Sequence, residues 1–204
     1  MFMQKIYYKN KEIIPSKIVC IGRNYVEHIE ELGNEIPENM VVFNKPNSAI
    51  SNTLNYFFED TRFEGEICFL IENGNIAGVG FGLDLTHANI QKNLKTKGLP
   101  WERAKAFNGS AVLSEFVPFN GDISKLNMKL TINDTLIQFA NYDLMMYKPE
   151  IMLEEIKNFM DLEDGDIIMS GTPKGVANYH LNDRFLGQIF EDDKLLVASE
   201  WVVK

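Results

Sequence analysis

Apolar residues occur along this chain mainly in short runs, and the runs predict many short strands. Two of the runs are separated by Asn73-Gly74-Asn75, a sequence typical of a hairpin turn. Lys45-Pro46 is predicted to begin a loop, because proline lacks the amide proton that a sheet uses. The runs lie at residues 18–21, 41–43, 63–71, 76–83, 128–132, 167–169 and 195–203.

Three other stretches carry apolar residues at helical spacing. They are residues 25–32, which Gly33 ends, residues 88–97, which Gly98 ends, and residues 151–159. In the last stretch Met152, Ile156 and Phe159 are predicted to lie on one side of the helix. A few short helices among many short strands predict a β-rich α+β fold, not alternating βαβ units.

Length and composition favour a single domain over residues 1–204, with residues 1–16 as a short N-terminal lead-in. The chain has 204 residues, of which 45% are hydrophobic and 24% charged, so it falls outside the disordered and collagen-like classes. No linker or internal repeat stands out. The formal charge of −9 argues against a nucleic-acid partner, because phosphate backbones bind to clustered Lys and Arg.

The sequence also indicates a cytoplasmic protein. No segment is long and apolar enough to span a bilayer, and the amino terminus has no long apolar stretch typical of a secretion signal. Cys20 and Cys68 each lie in an apolar run, so we expect two buried thiols and neither a disulfide nor a zinc site. Free thiols suit a reducing compartment.

Three carboxylates are candidate ligands for a divalent cation. Glu64 and Glu66 are spaced by two, so on a strand both side chains point to the same face. If that face is buried, the two negative charges need a cation between them, and Mg²⁺, Mn²⁺ or Ca²⁺ suits oxygen ligands. Judged alone, the spacing favours a solvated face. Asp84 follows a Gly-rich strand and precedes a helix, where Asp commonly caps the first turn.

Further polar features could complete a site for small acids. His28 and Glu31 are three apart, so on a helix the carboxylate could orient the imidazole, although an exposed ion pair is the simpler interpretation. Lys105 lies among apolar neighbours. Ser170-Gly171-Thr172-Pro173-Lys174-Gly175 offers backbone amides to an anion but does not match the phosphate-binding pattern G-x-x-x-x-G-K-[ST]. Together these features indicate a metal-assisted site.

The order of these motifs resembles the fumarylacetoacetate hydrolase family. The similarity runs from about residue 17 to the end, and the short acylpyruvase and oxaloacetate-decarboxylase branch is the most similar part of that family. The resemblance implies a mixed β-roll or sandwich with a few short helices, usually as a homodimer. The segments that carry it are Lys17-Ile18-Val19-Cys20-Ile21-Gly22-Arg23-Asn24-Tyr25 through His28, Phe43-Asn44-Lys45-Pro46, Phe63-Glu64-Gly65-Glu66, Gly82-Leu83-Asp84-Leu85-Thr86, Gly98-Leu99-Pro100-Trp101-Glu102-Arg103-Ala104-Lys105 and Ser170-Gly171-Thr172-Pro173-Lys174-Gly175-Val176.

The resemblance also implies roles for individual residues. The implied ligands of Mg²⁺ or Mn²⁺, with Ca²⁺ as a substitute in crystals, are Glu64, Glu66 and Asp84. The implied catalytic residues are His28 with Glu31, which would activate water, and Lys105, which would steady a developing oxyanion. The residues implied around a small 2-oxo acid substrate are Arg23, Lys45, Gln91 and Thr172.

The implied reaction is metal-dependent cleavage of a C–C bond in a small 2,4-dioxo acid of the acylpyruvate or fumarylpyruvate type. The products would be pyruvate and a carboxylic acid. Oxaloacetate decarboxylation, keto–enol tautomerisation and isomerisation of 2-hydroxyhepta-2,4-diene-1,7-dioate are the alternatives. Each of these reactions needs negative charge on an enolate to be stabilised, so the ligands alone do not separate them.

One departure from the family pattern concerns the substrate. After Asp84-Leu85-Thr86 the family commonly continues Ala-Arg-Asp, whereas this chain continues His87-Ala88-Asn89. Ala88 therefore removes a cation that would clamp an acidic substrate. A protein that binds metal and a 2-oxo acid without turnover is the non-enzymatic alternative.

Overall fold

Short strands make up most of the regular structure, as the apolar runs predict. A computed structural model describes residues 3–31 and 37–204, and for residues 28–30 it describes the backbone alone. The strands are β1 (Ile6–Tyr8), β2 (Lys11–Ile13), β3 (Lys17–Gly22), β4 (Val41–Pro46), β5 (Ile50–Ser51), β6 (Thr61–Phe63), β7 (Gly65–Glu72), β8 (Asn75–Asp84), β9 (Thr86–His87), β10 (Ala111–Leu113), β11 (Val117–Pro118), β12 (Leu126–Ile132), β13 (Thr135–Asn141), β14 (Ile167–Met169), β15 (Ala177–Asn178), β16 (Arg184–Glu191) and β17 (Lys194–Val202). The helices are α1 (Val26–Glu31), α2 (Ala88–Thr96), α3 (Glu102–Lys105) and α4 (Pro149–Lys157), with 3₁₀ turns at Asn47–Ala49 and Ile123–Lys125.

The largest sheet has eight strands and forms the framework of the candidate site. Its order is β4-β3-β14-β7-β8-β10-β5, and β11 also pairs with β8. β14 runs parallel to β3, whereas β7 and β8 form an antiparallel hairpin. Asn73 and Gly74 turn this hairpin with φ values of 51° and 68°, the left-handed conformation that a tight two-residue turn requires. The predicted hairpin is confirmed.

A second, four-stranded sheet, β13-β12-β16-β17, shares its apolar core with the first. Phe81 of the large sheet packs on Trp201 of the second, with ring centroids 5.9 Å apart. A Cβ atom at Gly187 would lie 2.3 Å from the Phe81 ring, so this glycine is what allows the ring to enter. The strand-rich, curled architecture matches the β-rich α+β fold that the sequence predicts, which is therefore confirmed.

The N-terminal lead-in is a structured hairpin. β1 pairs with β2, and Ile6 and Tyr8 are buried in a second apolar cluster on the large sheet. The Tyr8 hydroxyl donates to the carbonyl of Ala77 at 3.0 Å. The buried Asn47 amide donates to the carbonyls of Gln4 and Pro15 at 2.9 and 2.8 Å. These contacts tie the amino terminus to the sheet.

Two predicted strand boundaries are wrong. Lys45-Pro46 does not begin a loop, because both residues pair with β3, and Pro46 ends the strand where a missing amide is tolerated. Residues 63–71 do not form one strand, because the strand is interrupted at Glu64, which separates β6 from β7. The Glu64 carbonyl accepts a hydrogen bond from the amide of Asp84, and β6 pairs with β9 and β15 instead.

The helix predicted over residues 88–97 is confirmed as α2, whereas α4 and α1 differ from their predicted bounds. α4 begins at Pro149, whose fixed φ and missing donor suit a first helical turn. Met152 and Ile156 are buried as their spacing predicts, but Phe159 lies beyond the helix and is exposed. α1 begins at Val26, and its predicted end at Gly33 lies outside the described residues.

Two smaller expectations concern the thiols and the membrane. Cys20 and Cys68 are both buried and free, as predicted. They lie on β3 and β7, which β14 separates, so the sheet keeps them apart. Across residues 3–31 and 37–204, no helix combines the length and the apolar character that a membrane span requires.

Candidate metal centre

Three acidic side chains, Glu64, Glu66 and Asp84, meet at one end of the β7–β8 hairpin, and we call them the acidic trio. Glu64 is the residue between β6 and β7, Glu66 lies on β7, and Asp84 ends β8. One carboxylate oxygen from each lies within 4.8 Å of the others. Glu66 and Asp84 are 2% and 1% exposed, so a solvated strand face is excluded for both. Asp84 also does not cap a helix, because it ends a strand.

The surroundings of the acidic trio make ionisation of Glu66 unfavourable. Burial raises the pKa of Glu66 well above its ordinary value, and the charges of Asp84 and Glu64 raise it further. Lys105 and a backbone hydrogen bond from Gly171 act in the opposite direction but do not outweigh these effects. The ionised trio therefore needs more positive charge than the surrounding side chains supply.

Lys105 supplies part of that charge directly. Its ammonium lies 2.7 Å from Asp84 Oδ2 and 2.8 Å from Glu64 Oε2, at the end of α3. Burial alone would lower the pKa of Lys105, but attraction and hydrogen bonds from the two carboxylates outweigh burial and raise it. Lys105 is therefore a firmly protonated cation in this arrangement.

Lys45 places a second positive charge next to Asp84. Its ammonium donates to the carbonyl oxygens of Leu85 and Lys105 and, at 3.0 Å, to the hydroxyl of Ser110. These bonds occupy its three protons. Asp84 Oδ1 lies 2.7 Å from the Lys45 nitrogen, yet it is buried and accepts no hydrogen bond from any described residue. Lys45 thus acts on Asp84 as a nearby charge, and it is not among the described residues that line the cavity below.

The donor set fits a divalent metal ion. Carboxylate oxygens are the ligands that Mg²⁺ and Mn²⁺ prefer, and the trio offers three within 4.8 Å. The buried Asp84 Oδ1 has an acceptor position not used by a described donor. A divalent ion would also add the positive charge that the ionisation of Glu66 requires.

Short hydrogen bonds orient two members of the trio. The Thr86 hydroxyl donates to Glu64 Oε1 at 2.7 Å, and the Gly171 amide donates to Glu66 Oε2 at 2.7 Å. Gly171 has φ of 91°, and a Cβ atom there would lie 2.8 Å from the Cβ of Asn24. Only glycine brings the backbone this close, so the 170–175 loop can reach Glu66.

Gln138, which sequence reasoning missed, ties the second sheet to the centre. It lies on β13 and is 1% exposed. Its Oε1 accepts from the Gly65 amide at 2.9 Å, between the two glutamates. Its Nε2 donates to the Thr172 hydroxyl at 3.0 Å and to the carbonyl of Pro173 at 3.1 Å. No local sequence motif indicates this role for Gln138, because its hydrogen-bond partners lie far away along the chain. Only the folded structure reveals it.

A cavity of about 40 Å³ opens onto the trio. Three residues that the resemblance places around a substrate, Arg23, Gln91 and Thr172, line it, as does Lys95 of α2, which was not predicted. Arg23 has φ of 56°, a left-handed conformation that is costly for arginine and is found more often at functional sites. The Thr172 hydroxyl donates to the carbonyl of Gly65 at 2.9 Å, so it also holds the loop.

The structure describes only one side chain of the predicted His28–Glu31 dyad, that of Glu31. His28 lies on α1, but its side chain is outside the described residues, so its pairing with Glu31 stays a prediction. Both carboxylate oxygens of Glu31 accept from the amide of Gly175 at 3.2 Å. The ammonium nitrogen of Lys174, in this loop, lies 3.1 Å from Oε2 of Glu27 on α1. α1 is therefore docked on the 170–175 loop.

His87 does not replace the cation absent at Ala88. Its ring is buried and stacks on Phe107, with centroids 4.0 Å apart and planes at 22°, and Nδ1 lies 3.2 Å from the Thr61 hydroxyl. Burial lowers the pKa of His87, with Asp60 opposing this effect. His87 is thus a neutral packing residue at neutral pH.

Comparison with known proteins identifies the family. The family model for the fumarylacetoacetate (FAA) hydrolase C-terminal domain matches residues 17–197. The chain belongs to the fumarylacetoacetate hydrolase family. It is 34% identical over 187 residues to oxaloacetate tautomerase YcgM of Escherichia coli strain K12, covering 82% of this chain and 85% of that protein. It is 32% identical over 184 residues to the human mitochondrial oxaloacetate tautomerase FAHD1, covering 81% and 83%.

Solved structures of family members share the fold. A fumarylacetoacetate isomerase/hydrolase-type protein from Oleispira antarctica is 31% identical, with a TM-score of 0.92 and coverage of 99% of this chain and 100% of that one. Fumarylpyruvate hydrolase from Pseudomonas aeruginosa, whose crystal structure contains Mn²⁺ and pyruvate, is 24% identical, with a TM-score of 0.89 and coverage of 98% and 95%. At that identity the second likeness concerns the fold alone.

The first prediction concerns Gln138. Gln138→Leu keeps most of the side-chain volume but leaves buried partners of its amide unsatisfied. We expect the free energy of unfolding in urea to fall by about 3 kcal/mol and the affinity for Mn²⁺ to fall roughly tenfold. Gln188→Leu, on β16 of the same sheet, is the matched control. Unchanged Mn²⁺ affinity in Gln138→Leu would show that Gln138 does not position the trio.

The second prediction concerns Glu66→Gln, which keeps the shape and removes a buried charge. The raised pKa of Glu66 means that, above its ordinary value of 4.5, the folded state binds more protons than the unfolded state, so ionisation reduces stability as pH rises. We expect the metal-free variant to have a higher Tm than the wild type at pH 7. Mn²⁺ should raise the Tm of the wild type only.

The control for this experiment is Glu72→Gln, at the partly exposed far end of the same strand. Melting curves of all three proteins are recorded with and without Mn²⁺. A Mn²⁺-induced rise in Tm that persists in Glu66→Gln would remove Glu66 from the ligand set.

Proposed function

We propose that this chain catalyses the keto–enol interconversion of a small 2-oxo acid at a divalent-metal site, with oxaloacetate as the expected substrate. The observation that carries the proposal is the acidic trio, which lines a cavity beside the Lys105 cation and has two buried members, Glu66 and Asp84. The two relatives named oxaloacetate tautomerase, at 34% and 32% identity, favour this reaction over the others.

The acidic trio and Lys105 have different proposed roles. Glu64, Glu66 and Asp84 would hold the ion, expected to be Mg²⁺ or Mn²⁺. When bound, such an ion supplies Lewis acidity that favours negative charge on the 2-oxo oxygen of the substrate. Lys105 holds a second positive charge against the same carboxylates, so it would stabilise a substrate oxygen that becomes negative nearby.

The apolar wall of the cavity strengthens these charges. Phe43 and Trp101 line it, with ring centroids 5.8 Å apart. Such rings exclude water from the space beside the trio. Charge interactions are stronger where water is excluded, so the Lys105 cation acts with less screening than it would at the surface.

Tautomerisation also needs a group that takes a proton from the carbon beside the 2-oxo group and a route by which a proton reaches the oxygen. We propose His28 as the base, oriented by Glu31. The support is the spacing of these residues on α1 and the docking of that helix on the 170–175 loop, which bears the Glu66 contact. Imidazole suits the task because its ordinary pKa lies near neutrality.

The second candidate is hydrolysis of an acylpyruvate. There His28 would deprotonate a water molecule that attacks the distal carbonyl, and the C–C bond would break to give pyruvate and a carboxylic acid. The His28–Glu31 spacing is compatible with this candidate as well as with tautomerisation, because water activation also requires an oriented base. Oxaloacetate decarboxylation is the third outcome that the same trio could support.

The third prediction is metal-dependent turnover. Protein reconstituted with Mg²⁺ or Mn²⁺ is assayed on oxaloacetate and acetylpyruvate, with enol, CO₂ and acetate measured separately. We expect rapid loss of the oxaloacetate enol, abolished by a chelator, with little CO₂ or acetate. Controls contain the metal without protein, and the metal with Glu66→Gln.

The products decide among the candidates. Chelator-sensitive acetate would support hydrolysis, and CO₂ would support decarboxylation. If neither acid changes faster than in the metal control, the proposed reactions fail and the protein binds a 2-oxo acid without turnover or uses a different substrate.

The fourth prediction tests the proposed base. His28→Ala should lower the tautomerisation rate by at least about 100-fold, because a positioned general base contributes about that much or more. His180→Ala makes the same change at an exposed position away from the residues that line the cavity, so it is the control and should retain its activity. If His28→Ala turns over oxaloacetate and acetylpyruvate at the wild-type rates, His28 has no proton-transfer role.

A further inference from the structure

We infer that Asn24 is a positioning residue that couples the acidic trio to α1, the helix that bears the proposed base. Its side chain holds the 170–175 loop beside the start of α1, so ion binding and the placement of this helix depend on each other. The part that concerns catalysis rests on the proposed function, which gives His28 a proton-transfer role. The motif around Arg23 contains Asn24 but assigns it no role.

The hydrogen bonds of the Asn24 side chain are the first observation. Asn24 is fully buried. Its Nδ2 donates to the carbonyl oxygens of Ser170 at 2.8 Å and Tyr147 at 3.1 Å, and its Oδ1 accepts from the Tyr147 amide at 2.7 Å. Both amide protons and the side-chain carbonyl are therefore used. Partners on two other segments of the chain fix the orientation of this side chain.

The second observation is the short path from Asn24 to Glu66. The Ser170 carbonyl that accepts from Asn24 and the Gly171 amide that donates to Glu66 Oε2 belong to one peptide group. The two ends of a planar trans peptide point in opposite directions, so this group is held from both sides. The Ser170 amide also donates to the carbonyl of Ile67, next to Glu66 on β7.

The third observation is the position of Asn24 at the start of α1, which begins two residues later. The Asn24 backbone carbonyl accepts from the amide of Met146 at 2.8 Å, which fixes the chain just before the helix. At the other end of α1, the Glu31 carboxylate accepts from the Gly175 amide. The helix is therefore fixed to the 170–175 loop near both of its ends.

These contacts place one side chain between the ion site and the helix. Because the peptide group between Ser170 and Gly171 is rigid, a shift of Glu66 is transmitted to Asn24, and the reverse. Buried hydrogen bonds in such a chain also strengthen one another. An ion that fixes Glu66 therefore favours one arrangement of the loop on which α1 is docked, and coupling of this kind is reciprocal.

The test compares Asn24→Ala with Asn47→Ala, which is a closely matched control. Asn47 is also buried, and its amide likewise donates to two carbonyls and accepts from one backbone amide. Its partners, however, belong to the N-terminal lead-in, and Asn47 is not among the described residues that line the cavity at the trio. We expect both variants to melt at a lower temperature than the wild type, because each loses buried hydrogen bonds.

The affinity for Mn²⁺ is measured from the loss of the EPR signal of the free ion, independently of turnover. Asn24→Ala keeps the Cβ atom that packs against Gly171 and removes only the amide. It should bind Mn²⁺ at least about tenfold more weakly than the wild type, the usual effect of losing a residue that orients a metal ligand. Asn47→Ala should bind Mn²⁺ as tightly as the wild type.

Hydrogen exchange of the α1 amides, residues 26–31, tests the coupling itself. In the wild type, Mn²⁺ should slow this exchange, because a fixed loop opposes local opening of the helix docked on it. Asn24→Ala, at a Mn²⁺ concentration that saturates it, should lose most of the slowing, and Asn47→Ala should keep it. If Asn24→Ala does not fold, Asn24→Ser, which keeps one hydroxyl donor, should show both changes at smaller size.

Each outcome has a defined meaning. Weaker Mn²⁺ binding and loss of the α1 effect in a folded Asn24 variant, with Asn47→Ala unaffected, support the inference. It is overturned by wild-type Mn²⁺ affinity in that variant, by an equal loss in Asn47→Ala, or by α1 exchange whose response to Mn²⁺ does not depend on Asn24. If both effects depend on Asn24 but no reaction is catalysed, the proposed function fails and the coupling stands. If the wild type does not bind Mn²⁺, both are overturned.

Discussion

The closeness of three carboxylates within 4.8 Å of one another, two of them buried and Glu64 partly buried, is the constraint on which the site depends. Such a cluster is stable only where positive charge and oriented donors surround it. The chain meets this requirement with Lys105 in direct contact, Lys45 behind Asp84, and the backbone amide of Gly171. Each donor comes from a different part of the chain, so the fold must be complete before the cluster can form.

Much of the fold and the trio could be predicted from sequence because both depend on local patterns. Asn73-Gly74 specifies the hairpin that brings Asp84 to the end of β7 that carries Glu66. Glu64 joins them from the residue between β6 and β7, and not through the period-two spacing of a single strand. The ordered motifs of the family supplied Lys105 and the 170–175 loop. Apolar runs predicted the central strands of the large sheet, but they missed β13 and β16, whose residues alternate between buried and more exposed positions without forming a continuous apolar run.

The parts that sequence did not reveal depend on contacts between distant segments. Gln138 reads as an ordinary residue on a strand of alternating pattern, and only its register places its amide between Gly65 and Thr172. Lys95 reads as one of several lysines on a polar helix. The strand break at Glu64 follows from a bond to the Asp84 amide, which no local propensity encodes.

Gln138 has a consequence for how the two sheets behave together. Its side chain leaves the four-stranded sheet and is hydrogen-bonded to the segment that carries the glutamates. Binding of an ion at the trio would therefore be coupled to packing of the sheets, and coupling of this kind is reciprocal. A change that loosens the contact between the sheets would weaken ion binding, and a bound ion would make the junction between the sheets more rigid.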